Sequence, residues 1–261
     1  MKSTTARKLN RISGYLEPGD AAMVSTLLLA QAKAGIGGSV AEIGVHHGKL
    51  ILRMGTDLQG NERAVAIDIF DEQQDNIDRS GKGDLAIFKR HVADLGLDDR
   101  LDIIQGNSTR LASDDLLRLS KTPFRMFSVD GGHSYDVVSS DMALAAATLC
   151  EGGIILADDY FNYGWPDVSY AVSRFVQSDD NAMIPFAASS SKLYLTNSPD
   201  MASYYQAMLE RSGYPSLEKN QKMGSSDVYV FDTRSVGSTA FTFVRILKGR
   251  LRGWRASEIA A

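Results

Sequence analysis

Three carboxylates in two short segments are the residues of this chain best placed to do chemistry. Asp130 stands in Phe127-Ser128-Val129-Asp130-Gly131-Gly132-His133, and Asp158 and Asp159 stand in Ile154-Ile155-Leu156-Ala157-Asp158-Asp159-Tyr160. Each set closes an apolar run that reads as a buried strand, and the intervening residues read as a helix, so the segment predicts a βαβ unit. Neighbouring strands of such a unit point the same way and deliver all three acids to one carboxyl edge, where open α/β sheets bind ligands. Converging hard oxygens predict a divalent cation, with Asp130, Asp158 and Asp159 as ligands and Mg²⁺ as the ion suited to an all-oxygen site. Taken singly, Asp130 with its glycines also fits a plain turn, and Asp158-Asp159 also fits a helix cap.

The elements that must position these acids follow from hydrophobic periodicity. A leading helix is predicted over residues 19–34, ended by Gly35, Gly37 and Gly38. Strand-like runs at 39–45, 64–69, 101–105, 124–129 and 153–157 then alternate with helical stretches. This is the pattern of a Rossmann-like, doubly wound α/β sheet with helices on both faces. A helix at 167–177 leads to two runs, 182–188 and 192–196, joined by Ser189-Ser190-Ser191, a link that suits only antiparallel strands. The sheet is therefore expected to be mostly parallel with an antiparallel terminal strand pair. Three parts are expected: an N-terminal helical segment (1–38), the sheet domain (39–198) and a C-terminal extension (199–261) with a helix at 201–211, a loop at Pro215, a strand at 227–231 and a basic amphipathic tail.

Composition narrows the function. The 261 residues are 44% hydrophobic and 23% charged, with a formal net charge of -4, which gives no general footprint for nucleic acid. One cysteine, Cys150, excludes an internal disulfide and reads as a small buried hydrophobe at a helix end. No stretch approaches the roughly 18 apolar residues of a membrane span, and Met1 to Gly14 carries no apolar signal-peptide core, so a cytoplasmic location is expected.

The first strand runs into Glu42-Ile43-Gly44-Val45-His46-His47-Gly48, two glycines four apart at a strand-to-helix turn. Glycines there let backbone approach a ligand, or simply allow tight helix–sheet packing. His46 stands where a dinucleotide fingerprint wants its middle glycine, which weakens nicotinamide binding. Asp68 ends the second strand, suited to ribose hydroxyls. His46 and His47 are adjacent and unsuited to one ion, so they are assigned a structural or cofactor-covering role, and His91 a solvated face.

The Glu42-x-Gly44-x-x-x-Gly48 loop, Asp68, the Gln105-Gly106-Asn107-Ser108 turn and the helix-to-hairpin ending resemble class I S-adenosylmethionine-dependent methyltransferases over about residues 19–197. Asp130-Gly-Gly-His133 followed by Asp158-Asp159 is similar to their metal-dependent small-molecule O-methyltransferase branch, the macrocin O-methyltransferase-like enzymes in particular. The resemblance implies S-adenosylmethionine as cofactor, with Glu42 and Gly44 at its methionine end, Asp68 at its ribose, Asn107 and Ser108 beside its adenine, and Gly48 and Asp130 also among its binding residues. It also implies that the three acids hold Mg²⁺. Catechol and caffeoyl-coenzyme A types have lysine where this chain has His133, which directs the expectation away from catechol acceptors.

Methyl transfer to oxygen requires alignment and deprotonation of a hydroxyl. His133 is the candidate general base, with Tyr135 or Asp136 to orient it. Tyr160, Phe161, Tyr163 and Trp165 are either an aromatic wall over the acceptor or loop packing. The basic, apolar stretch from Phe241 to Arg255 is expected to dock on its own domain or on a second copy in a homo-oligomer, rather than to make a peripheral membrane contact. The expectation is a Mg²⁺-dependent O-methyltransferase for a small polyhydroxylated acceptor (sugar, glycan or natural product). The alternatives are an NAD-dependent oxidoreductase and a non-catalytic S-adenosylmethionine-binding module.

Overall fold

The computed structural model describes residues 3–178 and 182–233. Helices α1 (Ser3–Arg11) and α2 (Pro18–Lys33) lead into β1 (Ser39–Ile43), α3 (Ile51–Gly55), β2 (Ala64–Asp68), α4 (Leu85–Leu95) and β3 (Leu101–Gln105). There follow α5 (Ser113–Ser120), β4 (Phe124–Val129), α6 (Tyr135–Thr148), β5 (Leu149–Ala157) and α7 (Pro166–Gln177). The chain then adds β6 (Ile184–Ala188), β7 (Leu193–Thr196), α8 (Pro199–Ser212), β8 (Ser216–Met223) and β9 (Ser226–Asp232). The nine strands among the described residues form one sheet in the order β3-β2-β1-β4-β5-β7-β6-β9-β8.

The strands from β1 to β5 pair in parallel, and their inner members are apolar on both faces, as a sheet covered on both sides requires. Alternation assigns each side chain to a layer. Val40, Met126, Ile154 and Leu156 join Leu27, Met23 and Phe88 on one face, whereas Ala41, Phe127 and Ile155 meet Met142, Ala145 and Val172 on the other. Local chemistry sets the helix ends: Asp84 caps α4 by accepting from the Ile87 amide at 2.8 Å, Gly96 closes it at φ 67°, and prolines open α2, α7 and α8.

Register carries the site. Ile43 lies beside both Ile67 and Val129, and Val129 beside Ala157. The next residues along these strands, Gly44, Asp68, Asp130 and Asp158, therefore reach one edge together. Chain order reverses there, with β2 on one side of β1 and β4 on the other, which is the switch point at which such sheets bind ligands.

The antiparallel pair β6–β7 forms as expected, but the sheet continues beyond it: β9 pairs in parallel with β6, and β8 closes the edge as a hairpin with β9. Strand β8, expected as loop, is polar and mostly exposed, so it carries no hydrophobic period; its charges suit a sheet edge. Strand β5 begins at Leu149, which places Cys150 on a strand rather than at a helix end. Burial pushes the Cys150 thiol up to about 11. The stretch from Phe241 to Arg255, with the docking expected of it, lies outside the described residues. No described helix is long and apolar enough to cross a membrane.

Candidate active site

A cavity of about 970 Å³ opens at the carboxyl edge of β1, β2, β3, β4 and β5, large enough for a nucleoside cofactor and an acceptor together. One side is formed by Gly44, His46, Asp68, Gly106, Asn107 and Ser108, and the other by Asp130, His133, Asp158, Asp159 and Trp165. Residues 14–18, the 76–83 loop, Tyr214 and Thr233 border it.

On the first side, a Cβ on Gly44, at φ 84°, would sit 1.6 Å from the Asp130 carbonyl oxygen, so only glycine lets β1 and β4 turn outward side by side. Asp68 accepts the His46 and Phe70 amides at 2.6 and 2.5 Å through different oxygens, and the Val45 amide also acts on its carboxylate. Burial raises its pKa against those hydrogen bonds. Asn107 caps a short 3-10 turn by accepting the Thr109 amide at 3.0 Å, leaving its NH₂ group undirected by that bond. His46, at φ 53°, packs between Tyr15 and His47, and His91, expected on a solvated face, contacts the His47 carbonyl at 3.0 Å.

Two residues named from the glycine loop lie outside the lining. Glu42 is buried beneath the cavity, where it accepts the Ile51 amide at 2.8 Å and so caps α3; burial holds its pKa far above the ordinary range. Gly48 packs against Phe88, whose ring a Cβ would approach to 2.5 Å, which is the tight-packing alternative. The remaining surface suits a polar nucleoside. His46 Nδ1 and Glu17 Oε2, both on lining residues, are buried with no hydrogen-bond partner, and Gly106 borders open space.

On the second side, both nitrogens of His133 meet carboxylates. Its amide and Nδ1 donate to Asp78 Oδ2 at 2.8 and 2.6 Å, and Nε2 lies 3.0 Å from Asp159 Oδ2. Burial opposes charge on the ring, but hydrogen bonds to Asp159 and Asp78 outweigh it and raise the His133 pKa. Burial also opposes charge on Asp78, yet its bonds to Ser80 and His133 hold it down at about 2. The orienting groups are therefore Asp78 and Asp159, not Tyr135 or Asp136. Trp165 stacks on the His133 ring, centroids 4.2 Å apart and planes 8° off parallel. Of the expected aromatic wall only Trp165 lines the cavity; Tyr163 is fully exposed and Tyr160 turns its hydroxyl to Ser173 at 3.0 Å.

The three acids do not converge as a free set. Asp158 accepts the Asp159 amide at 2.8 Å through Oδ1 and is ion-paired through Oδ2 with the buried Lys192 ammonium. Among the described residues, the donors that come within 4.8 Å of one another are Asp130, His133 and Asp159. One imidazole and two carboxylates, with the imidazole already engaged on both nitrogens, do not fit the all-oxygen Mg²⁺ site predicted from sequence. Asp130 itself is pushed to a high pKa, first by burial and then by Asp158, against the pull of Lys192.

Sequence reasoning missed Asp78 and Lys192. Asp78 lies in an aperiodic loop 55 residues before His133, with no local signal. Lys192 did carry one: it is a lone cation at the head of the apolar run Leu193–Thr196, on the hairpin placed next to the acid-bearing strand.

Residues 41–160, from β1 to just past Asp159, match a family model described as a methyltransferase domain. The chain thus has the Rossmann-like methyltransferase fold, and the matched segment spans its parallel strands β1 to β5. No curated protein matches the chain in sequence. Among solved structures, the O-methyltransferase NovP superposes with a TM-score of 0.56 at 15% identity, covering 69% of this chain and 81% of that one. An O-methyltransferase from Bacillus cereus in complex with SAH gives 0.52 at 14% identity, over 75% and 92% of the two chains. The calicheamicin methyltransferase CalS11 gives 0.51 at 16%, over 67% and 77%.

Proposed function

We propose that this protein is an S-adenosylmethionine-dependent O-methyltransferase acting on a hydroxyl of a small polyhydroxylated molecule, such as a sugar or a natural product. The observation that carries this reading is a single cavity joining a nucleoside-sized polar wall at Gly44, Asp68, Gly106, Asn107 and Ser108 to a proton-accepting cluster at His133 and Asp159. The similar structures, two described as O-methyltransferases and a third as a calicheamicin methyltransferase, support the same reaction class.

When bound, the cofactor supplies an electrophilic methyl on a sulfonium; this chain's own residues do the rest. Asp68 would receive the ribose hydroxyls, and the turn at Gly44 leaves backbone, not side chain, facing the reacting end. An acceptor hydroxyl that replaces the direct contact between Nε2 of His133 and Asp159 Oδ2 would donate its proton to this pair. Asp78 keeps the proton on Nδ1, so once the Nε2 proton has passed to solvent the neutral ring presents its lone pair at Nε2. Trp165 closes one side of that position and suits the apolar face of a sugar ring.

Titration calorimetry with S-adenosylhomocysteine tests the reading. Saturable one-site binding, weakened by Asp68→Asn, is expected. A folded sample that binds none would remove the methyltransferase reading, and displacement of the ligand by NAD would favour the oxidoreductase instead.

A further inference from the structure

Behind the proton-accepting cluster lies a buried cation to which the sequence reading gave no role. Strands β5 and β7 are antiparallel with Ala157 opposite Leu193, so the preceding residue of β7 faces the following residue of β5: Lys192 lies opposite Asp158. The turn that delivers it is fixed twice, by the Ser189 amide on the Lys192 carbonyl at 2.9 Å and by the Lys192 amide on Ser189 Oγ at 3.1 Å. Lys192 is 1% exposed, and its ammonium is ion-paired with Asp158. Burial opposes its charge, but the carboxylates of Asp158, Asp130 and Asp20 overcome this and raise its pKa. Asp20 reaches the cluster from α2 and is itself held at 2.7 Å by the Tyr194 hydroxyl. The ammonium is thus ion-paired with Asp158 and exerts its pull on Asp130 and Asp20 as well; Asp158 and Asp130 follow the strands whose spacing suggested a metal.

We propose that Lys192 is the resident cation of this site, taking the place that a divalent metal would hold on Asp158 and Asp130, so that methyl transfer here needs no divalent ion. This deepens the O-methyltransferase reading and rests on it for the word transfer, while the statement about the cation stands on the geometry alone. A buried ammonium and a divalent cation on the same carboxylate repel strongly where water is excluded. Removing the ammonium while leaving the acids should therefore open a site for the metal.

The test uses the full chain and Mn²⁺ as the probe, with free Mn²⁺ read by electron paramagnetic resonance and Mg²⁺ as competitor, in the presence and absence of S-adenosylhomocysteine. The wild type is expected to show no saturable Mn²⁺ binding below about 1 mM, and Lys192→Met to bind at least about tenfold more tightly. Saturable, Mg²⁺-displaceable binding to the wild type overturns the proposal, and so does a folded Lys192→Met that binds no better than the wild type. Should Lys192→Met fail to fold by circular dichroism, the wild-type titration decides alone. Failure to bind S-adenosylhomocysteine counts against the proposed function and leaves the Mn²⁺ result standing.

Discussion

Asp141 offers a quantitative test of how this fold buries acid. It lies on the sheet-facing side of α6, fully buried, with Oδ2 2.8 Å from the point a Gly131 Cβ would occupy. Neither of its oxygens makes a well-formed hydrogen bond, and burial pushes its carboxyl up to about 7 from the ordinary 3.8, outweighing the opposing pull of the Ser108 hydroxyl. The folded chain therefore holds a proton that the unfolded chain releases. The associated stability is complete below pH 3.8, falls as the pH rises, and stops falling above about 7. At 1.36 kcal/mol per pH unit the full loss is about 4 kcal/mol, of which about 2.5 kcal/mol falls between pH 5 and 8.5. In Asp141→Asn this loss vanishes. Any fixed penalty from the unpartnered amide is the same at both pH values and cancels when each protein is compared with itself. Scanning calorimetry at the two pH values should show the wild type losing about 5–10 °C more than the variant, at 2–4 °C per kcal/mol for a chain of this size. Parallel profiles for the two proteins would refute the assignment of a raised, buried carboxyl.

Three further outcomes follow from the site. Gly44→Ala, whose Cβ would meet the Asp130 carbonyl at 1.6 Å, is expected to abolish S-adenosylhomocysteine binding or folding, whereas Gly37→Ala, whose Cβ would meet nothing nearer than Glu62 Oε1 at 3.5 Å, should fold and bind; equal behaviour of the two in calorimetry would contradict the packing described for Gly44. Asp78→Asn should lower the His133 pKa toward its ordinary value, followed through the imidazole C–H resonance by NMR, and an unmoved titration would show that Asp78 does not hold the ring. Trp165→Ala, which removes the ring stacked 4.2 Å from His133, should raise the acceptor KM by about tenfold with little change in melting temperature, whereas a lowered melting temperature alone would make Trp165 a packing residue.

Much of the fold was legible because its inner strands are apolar on both faces. The runs 101–105 and 124–129 match β3 and β4 residue for residue, and the hairpin followed from a link too short for a crossover. The polar edge strand β8 was not, since an exposed strand has no burial to impose a period. Half of the site was legible for a related reason. Gly44, Asp68, Asp130 and Asp158 each follow a strand, and strand ends can be read from apolar runs, whereas Asp78 arrives from a loop that no period marks. Asp141 was hidden by the opposite circumstance: it interrupts an apolar helix face whose other members, Val138, Met142 and Ala145, are what a core helix should present.

The spacing from Asp130 to Asp158 and Asp159 is set by β4, α6 and β5, and that unit keeps the same length whatever neutralises its acids. Spacing can therefore place the carboxylates at one edge but cannot name their counter-charge. The counter-charge is decided one strand further along, where β7 returns antiparallel and its register sets Lys192 against Asp158. A small or apolar residue at that position would leave an acid cluster open to a divalent ion; a lysine there closes it from the core side. The same neutralisation explains how Asp20, Glu42, Asp130 and Asp158 coexist in one buried region, with Asp20, Glu42 and Asp130 pushed up in pKa chiefly by burial and pulled back by the single ammonium. What remains facing the cavity is the Asp78–His133–Asp159 chain, an imidazole held between two carboxylates rather than an all-oxygen cation cage.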